Sequence, residues 1–182
     1  ANTVAAPTLI NNFNNLDAGA DIAPAALGSP GALAVQNRRN GSLYPLALDT
    51  RVLGAPTAPD PNLPAFVHAT VADGGTLVVT QTGELLRLRL PRLTPETVPL
   101  RLPANATPVA TATYQGRLYV LAPSANQLWR FDRAGSGFGS PAAWLDDDTI
   151  RLATAVDLAV DGDVYVLHAD GRLAKLTSGV SV

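Results

Sequence analysis

Four times along the chain a glycine is followed by the same arrangement of apolar residues, and this repetition limits the fold more than any other feature. Gly31, Gly75, Gly116 and Gly162 are spaced 44, 41 and 46 residues apart. Leu33, Leu77, Leu118 and Val164 follow at one fixed offset, and Val35, Val79, Val120 and Val166 at the next position on the same face. A second turn residue then appears in each copy: Gly41, Gly83, Asn126 and Gly171. Leu43, Leu85, Leu128 and Leu173 stand just beyond it, and Leu46, Leu88, Phe131 and Leu176 stand further on. Gly and Asn tolerate the positive φ of tight hairpins. The segments between these turns are β-branched and aromatic, so each copy reads as successive hairpin-linked strands.

Units of about 40–45 residues holding several strands each are the mark of propeller blades. The expectation is an all-β chain, a β-propeller of about four recognisable blades, with approximate units 22–63, 64–106, 107–150 and 151–182. The first strands, Ala23–Leu27, Phe66–Val71, Val109–Thr113 and Thr154–Val160, are rich in small residues, as innermost strands crowded round an axis should be. The second strands are apolar on both faces, as in Leu118–Leu121 and Val164–Leu167. Such strands must be covered on both sides, which stacking of blade on blade achieves. In the third strand of unit two, Leu86, Leu88 and Leu90 alternate with Arg87 and Arg89, predicting a solvated flank on the arginine side.

Fourth strands are expected at Thr50–Leu53, Thr97–Leu102 and Ala142–Leu145, while the last unit shows none of its own. Thr3–Ile10, within an N-terminal extension over 1–21, is therefore expected to fold back as the outer strand of the last blade, removing an open edge. Asn11–Ala20 reads as a loop or short helix. Gly54–Pro64, Pro103–Thr107 and Asp146–Thr149 read as crossings between blades, and Ala134–Ser140 as a flexible turn. A closed four-bladed ring, a fragment of a larger propeller, and two chains completing one ring all satisfy this pattern.

Charge and composition narrow the function classes. The net charge is -2, with 13 Lys and Arg against 15 Asp and Glu, so no basic stripe for nucleic acid is present. The hydrophobic fraction of 47% is too high for a disordered acidic chain. No run approaches the roughly 20 apolar residues of a membrane-spanning helix. Cysteine is absent, which excludes disulfides, thiolate metal sites and thiol nucleophiles.

The fourth unit, AVDLAVDGDVYVLHADGRLAKL, resembles the NHL and YWTD-like blade pattern of an apolar strand, Asp-x-x-Gly, then a strand containing an aromatic residue, and the third, ATATYQGRLYVLAPSANQLWRFD, is similar. The resemblance covers about residues 22–177 and departs from most NHL proteins in showing four units rather than six. It implies a scaffold that hosts many activities. These include sensor propellers of bacterial signalling proteins and enzymes of lactonase and lyase type.

Candidate chemistry is sparse. His68 lies in an innermost strand, where a buried or channel-lining histidine is expected, and His168 ends a second strand, where exposure is expected. Asp146–Asp148 and Asp161 with Asp163 are the acidic clusters, but no calcium loop follows them. The channel carboxylates of a lactonase-type metal site cannot be mapped, because Glu84 and Glu96 are the only glutamates and both fall in outer elements. No catalytic residues, metal or cofactor are expected. Arg87, Arg89, Arg92 and Arg101 read as a solvated basic strip.

Loops on a rigid scaffold carry binding more often than strands do. The face that gathers the loops between second and third strands would hold Asn37, Arg38, Arg39, Gln81, His168 and Asp170 as a ligand-binding surface. The expectation is a non-enzymatic binding or scaffold module, an extracytoplasmic or secreted sensor part of a larger bacterial signalling protein. Its partner would be a protein, peptide or glycan. It would bind no nucleic acid and insert in no membrane. A lactonase- or lyase-type enzyme with a central metal and a self-associating structural repeat are the alternatives.

Overall fold

The computed structural model describes residues 20–23, 32–37, 42–47, 49–56, 61, 64, 66–72, 75–80, 82–89 and 94–181. They form four four-stranded antiparallel sheets, each made of strands consecutive in sequence. The first blade is β1 (Ala20–Ala23), β2 (Ala32–Asn37), β3 (Leu43–Ala47) and β4 (Val52–Leu53). The second is β5 (Phe66–Ala72), β6 (Gly75–Thr80), β7 (Leu85–Arg89) and β8 (Thr94–Val98). The third is β9 (Ala110–Tyr114), β10 (Arg117–Ala122), β11 (Gln127–Ala134) and β12 (Gly137–Ala143), with a short 3-10 turn at Pro123–Ala125. The fourth is β13 (Ala155–Val160), β14 (Val164–His168), β15 (Leu173–Thr177) and β16 (Val180–Ser181).

The first strands β1, β5, β9 and β13 lie side by side in that order and form the inner wall. Among the described residues the four sheets do not close into a ring. Successive blades stack through two apolar layers. Leu118 and Val120 of β10 pack with Leu77, Val79, Leu85 and Phe131 between blades two and three. Tyr119 and Leu121 of the same strand pack with Leu152, Leu158, Val164 and Val166 between blades three and four. Side chains alternate across a strand, so β10 is apolar from Leu118 to Ala122 because each of its faces meets a different blade.

The turns follow the residues that permit them. Gln115 and Gly116 both take positive φ, 48° and 75°, in the two-residue hairpin from β9 to β10, the backbone of a type I′ turn. Asn126 occupies the left-handed region at φ 47°, where the corresponding Gly83 and Gly171 both have φ 84°. Asn is the residue that joins Gly there at low cost, since its short polar side chain bonds locally.

Several elements differ from the sequence reading, each for an identifiable reason. β1 ends at Ala23, where the strand was expected to begin. The glycine-rich Ala134–Ser140 is mostly strand: Gly135 and Ser136 make the turn and β12 starts at Gly137. β12 is an edge strand, so Pro141 withdraws no ladder donor from a neighbour. The fourth blade has its own short fourth strand, β16, paired with β15 through Thr177 and Val180. Arg87 does not face a solvated flank. Leu85, on the same side of β7, packs against blade three, and the Arg87 Nη2 donates to the Ser136 carbonyl there at 3.1 Å. Thr3–Ile10, Asn11–Gly19 and Leu90 lie outside the described residues.

Candidate functional site

Two places gather polar side chains from several blades, and the first is the inner wall. His68 on β5 places Nε2 3.0 Å from Oδ1 of Asp157 on β13. The backbone N–H of Thr111 on β9 lies 3.3 Å from its Nδ1. The backbone N–H can only donate, so Nδ1 accepts and the ring proton sits on Nε2, which donates to the carboxylate. One imidazole thus ties the innermost strands of blades two, three and four.

Two bulges aim these side chains. The pairing of β5 with β6 shifts between Phe66 and His68, and that of β13 with β14 between Ala155 and Asp157. An extra residue in a strand kinks it and redirects the next side chain. The ring of His68 is buried, while the Asp157 side chain remains 46% exposed and also accepts from the Leu158 N–H at 2.8 Å. The Thr111 hydroxyl is buried with no hydrogen-bond partner.

The second place is the end of the sheets that carries the crossings and the loops between second and third strands. His168 was expected to be exposed. It is buried, and its Nδ1 is 3.0 Å from the Thr154 hydroxyl. Burial first, and the Arg172 guanidinium second, hold its pKa below the ordinary histidine value, against an opposing pull from Asp170. Asp170 is exposed and accepts from the Arg172 backbone N–H at 3.0 Å. His168, Arg172, Thr149, Ile150 and Arg151 line an open depression of ≈350 Å³ beside the crossing from blade three to blade four.

That crossing is firmly held. The Asn126 side chain donates to the Ile150 carbonyl at 3.0 Å and accepts from the Leu152 N–H at 2.8 Å. Asp147 caps its own turn by accepting from the Thr149 N–H and hydroxyl, which lowers its pKa. Asp163 likewise has a lowered pKa, through Lys175 and then Thr177. The acidic clusters therefore serve turns and strand pairs. Among the described residues no three His, Asp or Glu side chains gather as a metal site.

Of the six residues expected to form the binding face, the structure brings His168 and Asp170 to one loop. Asn37 ends β2, and Arg38, Arg39 and Gln81 lie outside the described residues. Sequence reasoning passed over Asp157 altogether. Its signal was an acidic residue in a first strand otherwise made of small and apolar residues, the counterpart of the lone histidine in β5.

No protein-family model matches the chain, and no curated protein is similar to it in sequence. Solved structures do resemble it. Luciferin-regenerating enzyme matches with a TM-score of 0.58 at 17% identity, over 88% of this chain and 60% of that one. A streptogramin B lyase matches with a TM-score of 0.55 at 11% identity, over 91% of this chain and 57% of that one. YCF48 bound to D1 peptide matches with a TM-score of 0.55 at 13% identity, over 83% of this chain and 48% of that one. The fold is a β-propeller. The chain spans about half the length of these propellers, from 48% to 60% of each.

Proposed function

We propose that the chain is a non-enzymatic propeller module that binds a protein, peptide or glycan through the end bearing its crossings and second-to-third-strand loops. In this reading it is the extracytoplasmic sensing or scaffolding part of a larger signalling protein, as its NHL-like blades suggest. The observation that carries the proposal is the state of the axial histidine. A general base or a metal ligand needs a ring nitrogen with an available lone pair. His68 has one nitrogen donating to Asp157 and the other accepting from Thr111, so the ring braces blades. The depression around His168, Arg151 and Arg172 supplies a concave surface on a held crossing.

Peptide and glycan arrays probed with the full chain, with an Arg38→Ala/Arg39→Ala variant and with an Arg151→Ala/Arg172→Ala variant, test this reading. A class of array ligand bound by the parent and lost by either variant, with thermal unfolding unchanged, supports it. Full retention of binding by both variants overturns the choice of face. The second reading, a lactonase- or lyase-type enzyme, is favoured by the half-exposed Asp157 carboxylate beside the axis and by the enzymes that share this scaffold. A divalent metal that copurifies, together with a chelator-sensitive hydrolytic or lyase activity, would establish it in place of the binding reading.

A further inference from the structure

We propose that the outer face of blade four is a self-association surface, on which the same face of a second copy of this chain packs across a two-fold axis. The face belongs to the repeat. Val79 and Leu85 are cross-strand partners on blade two, Leu121 and Leu128 on blade three, and Leu167 and Leu173 on blade four. In blades two and three the pair is buried by the blade that follows, in the layers that hold Leu118 and Val120 or Leu152 and Val164. In blade four Leu173 is 62% exposed and Leu167 39%. The surface is thus continuous in kind with two interfaces already inside the molecule.

The rest of the face extends the patch. Side chains alternate along a strand, and cross-strand partners share a side. Ala159 and Tyr165 therefore stand beside Leu167, and Val180, 45% exposed, stands beside Thr177. Lys175, the cross-strand partner of Tyr165, places its ammonium 2.8 Å from Asp163 Oδ2. That ion pair offsets the cation, so two copies can meet there without opposing like charges. A face of four strands with about five residues each spans on the order of 300 Å². This is large for an exposed apolar patch and small for a permanent interface. The pair is therefore weak and reversible.

The other end of the array decides how the second copy sits. A head-to-tail contact needs blade one to present a bare apolar layer. Among its described residues Tyr44, Leu46 and Leu53 are buried within the chain, and Val52 is the exposed large apolar one. A face that pairs with its own copy needs nothing but itself and closes at two. Two sheets that each bring an apolar side can pack face to face. The depression proposed for ligand uses Ala174 and Leu176, which alternate with Leu173 and Lys175 and so lie on the opposite side of the same strand. Pairing and ligand binding can accordingly fail independently.

The test is sedimentation velocity of the full chain from about 10 µM to about 1 mM, the range in which weak pairs become populated. A monomer–dimer equilibrium that stops at two copies is expected. Leu173→Asp should weaken it at least about tenfold, by placing a charge in a dry layer. Val52→Asp, on blade one, should leave it unchanged. Thermal unfolding checks that both variants are folded. In the parent, amide shifts at Leu167 and Leu173 should move with concentration while those at Tyr44 and Leu53 stay fixed, which reports the face without any substitution. A chain that remains monomeric throughout, with shifts that do not move, overturns the proposal, because another part of the chain then covers the face. Growth past two copies, or loss of the pair in Val52→Asp, establishes head-to-tail stacking and overturns it as well. So does a pair that Leu173→Asp leaves intact.

Discussion

The third and fourth blades use almost the same strand sequence under different conditions. β10 reads Arg-Leu-Tyr-Val-Leu-Ala and β14 reads Val-Tyr-Val-Leu-His. In β10 every residue from Leu118 to Ala122 is buried, because blades two and four cover its two faces. In β14 Val164 and Val166 are buried against blade three, while Leu167 is 39% exposed on the far side. Its cross-strand partner Leu173 is 62% exposed. An apolar strand is thus a property of the repeat, whereas burial is a property of position in the array. Among the described residues, none covers the outer side of blade four, which keeps the apolar residues of an inner blade.

The sharpest way to break this comparison is to truncate the same residue type in both strands. Leu121→Ala removes a fully buried side chain from the layer between blades three and four. It should cost about 2–5 kcal/mol, the range for large-to-small core changes. Leu167→Ala should cost well under half of that, within about 1 kcal/mol, since its side chain is already partly in water. Urea unfolding followed by circular dichroism measures both. Equal losses would mean that the far side of blade four is covered in solution. Light scattering on the parent chain then separates a self-associating array from a monomer, because a second copy on that side raises the mass.

How far the fold was legible follows from which interactions are local. The hairpin turns at Gly116, Asn126 and Gly171 were readable because a positive φ selects its residue type directly. The two-sided burial of β10 was expected from its apolar residues at consecutive positions, although β14, equally apolar, is covered on one side only. Fourth strands were poorly placed: β12 begins in a glycine-rich stretch and β16 has only two residues. Edge strands have one neighbour, and their limits depend on that neighbour more than on their own composition. The bond between His68 and Asp157 joins residues 89 apart in sequence, and only the curvature of the array brings them together. The arginine side of β7 was misread for a related reason, since alternation identifies two faces and does not say which of them meets the next blade.

A second comparison sets Asn126 against Gly171, the same turn position in blades three and four. Both adopt positive φ, but Asn126 adds two side-chain bonds to the crossing. Asn126→Gly keeps the backbone conformation and removes both bonds. It should lower stability by about 1–3 kcal/mol, the cost of leaving a carbonyl and an N–H of the crossing without partners. Gly171→Asn introduces a side chain with nothing within 4 Å of its first carbon, but at φ 84°, where any side chain is strained; because Asn bears this region better than other residues, the cost should stay under about 1 kcal/mol. If the two substitutions shift the urea midpoint equally, the clamp on the crossing contributes nothing and the depression beside it is not held as described.

The smallest expected effect distinguishes the loop end of blade four by pH. His168 is buried and its pKa lies below the ordinary value of 6.5. The unfolded chain therefore binds a proton at higher pH than the folded chain does, and stability rises with pH across the interval between the two pKa values. The contribution is complete above 6.5 and is lost as the pH falls from there through the folded pKa. Thermal unfolding midpoints should accordingly drop on going from pH 7 to pH 5. His168→Gln, which keeps a polar side chain that can meet Thr154 and carries no titrating group, should flatten that part of the profile. The carboxylates of Asp147 and Asp163 act lower on the scale, because their pKa values are depressed below 3.8 and their contribution disappears only in stronger acid. A His168→Gln profile with the same slope between pH 7 and pH 5 as the parent would show that the imidazole is as well hydrated in the fold as outside it. The buried floor of the depression would then have to be redrawn as an open one.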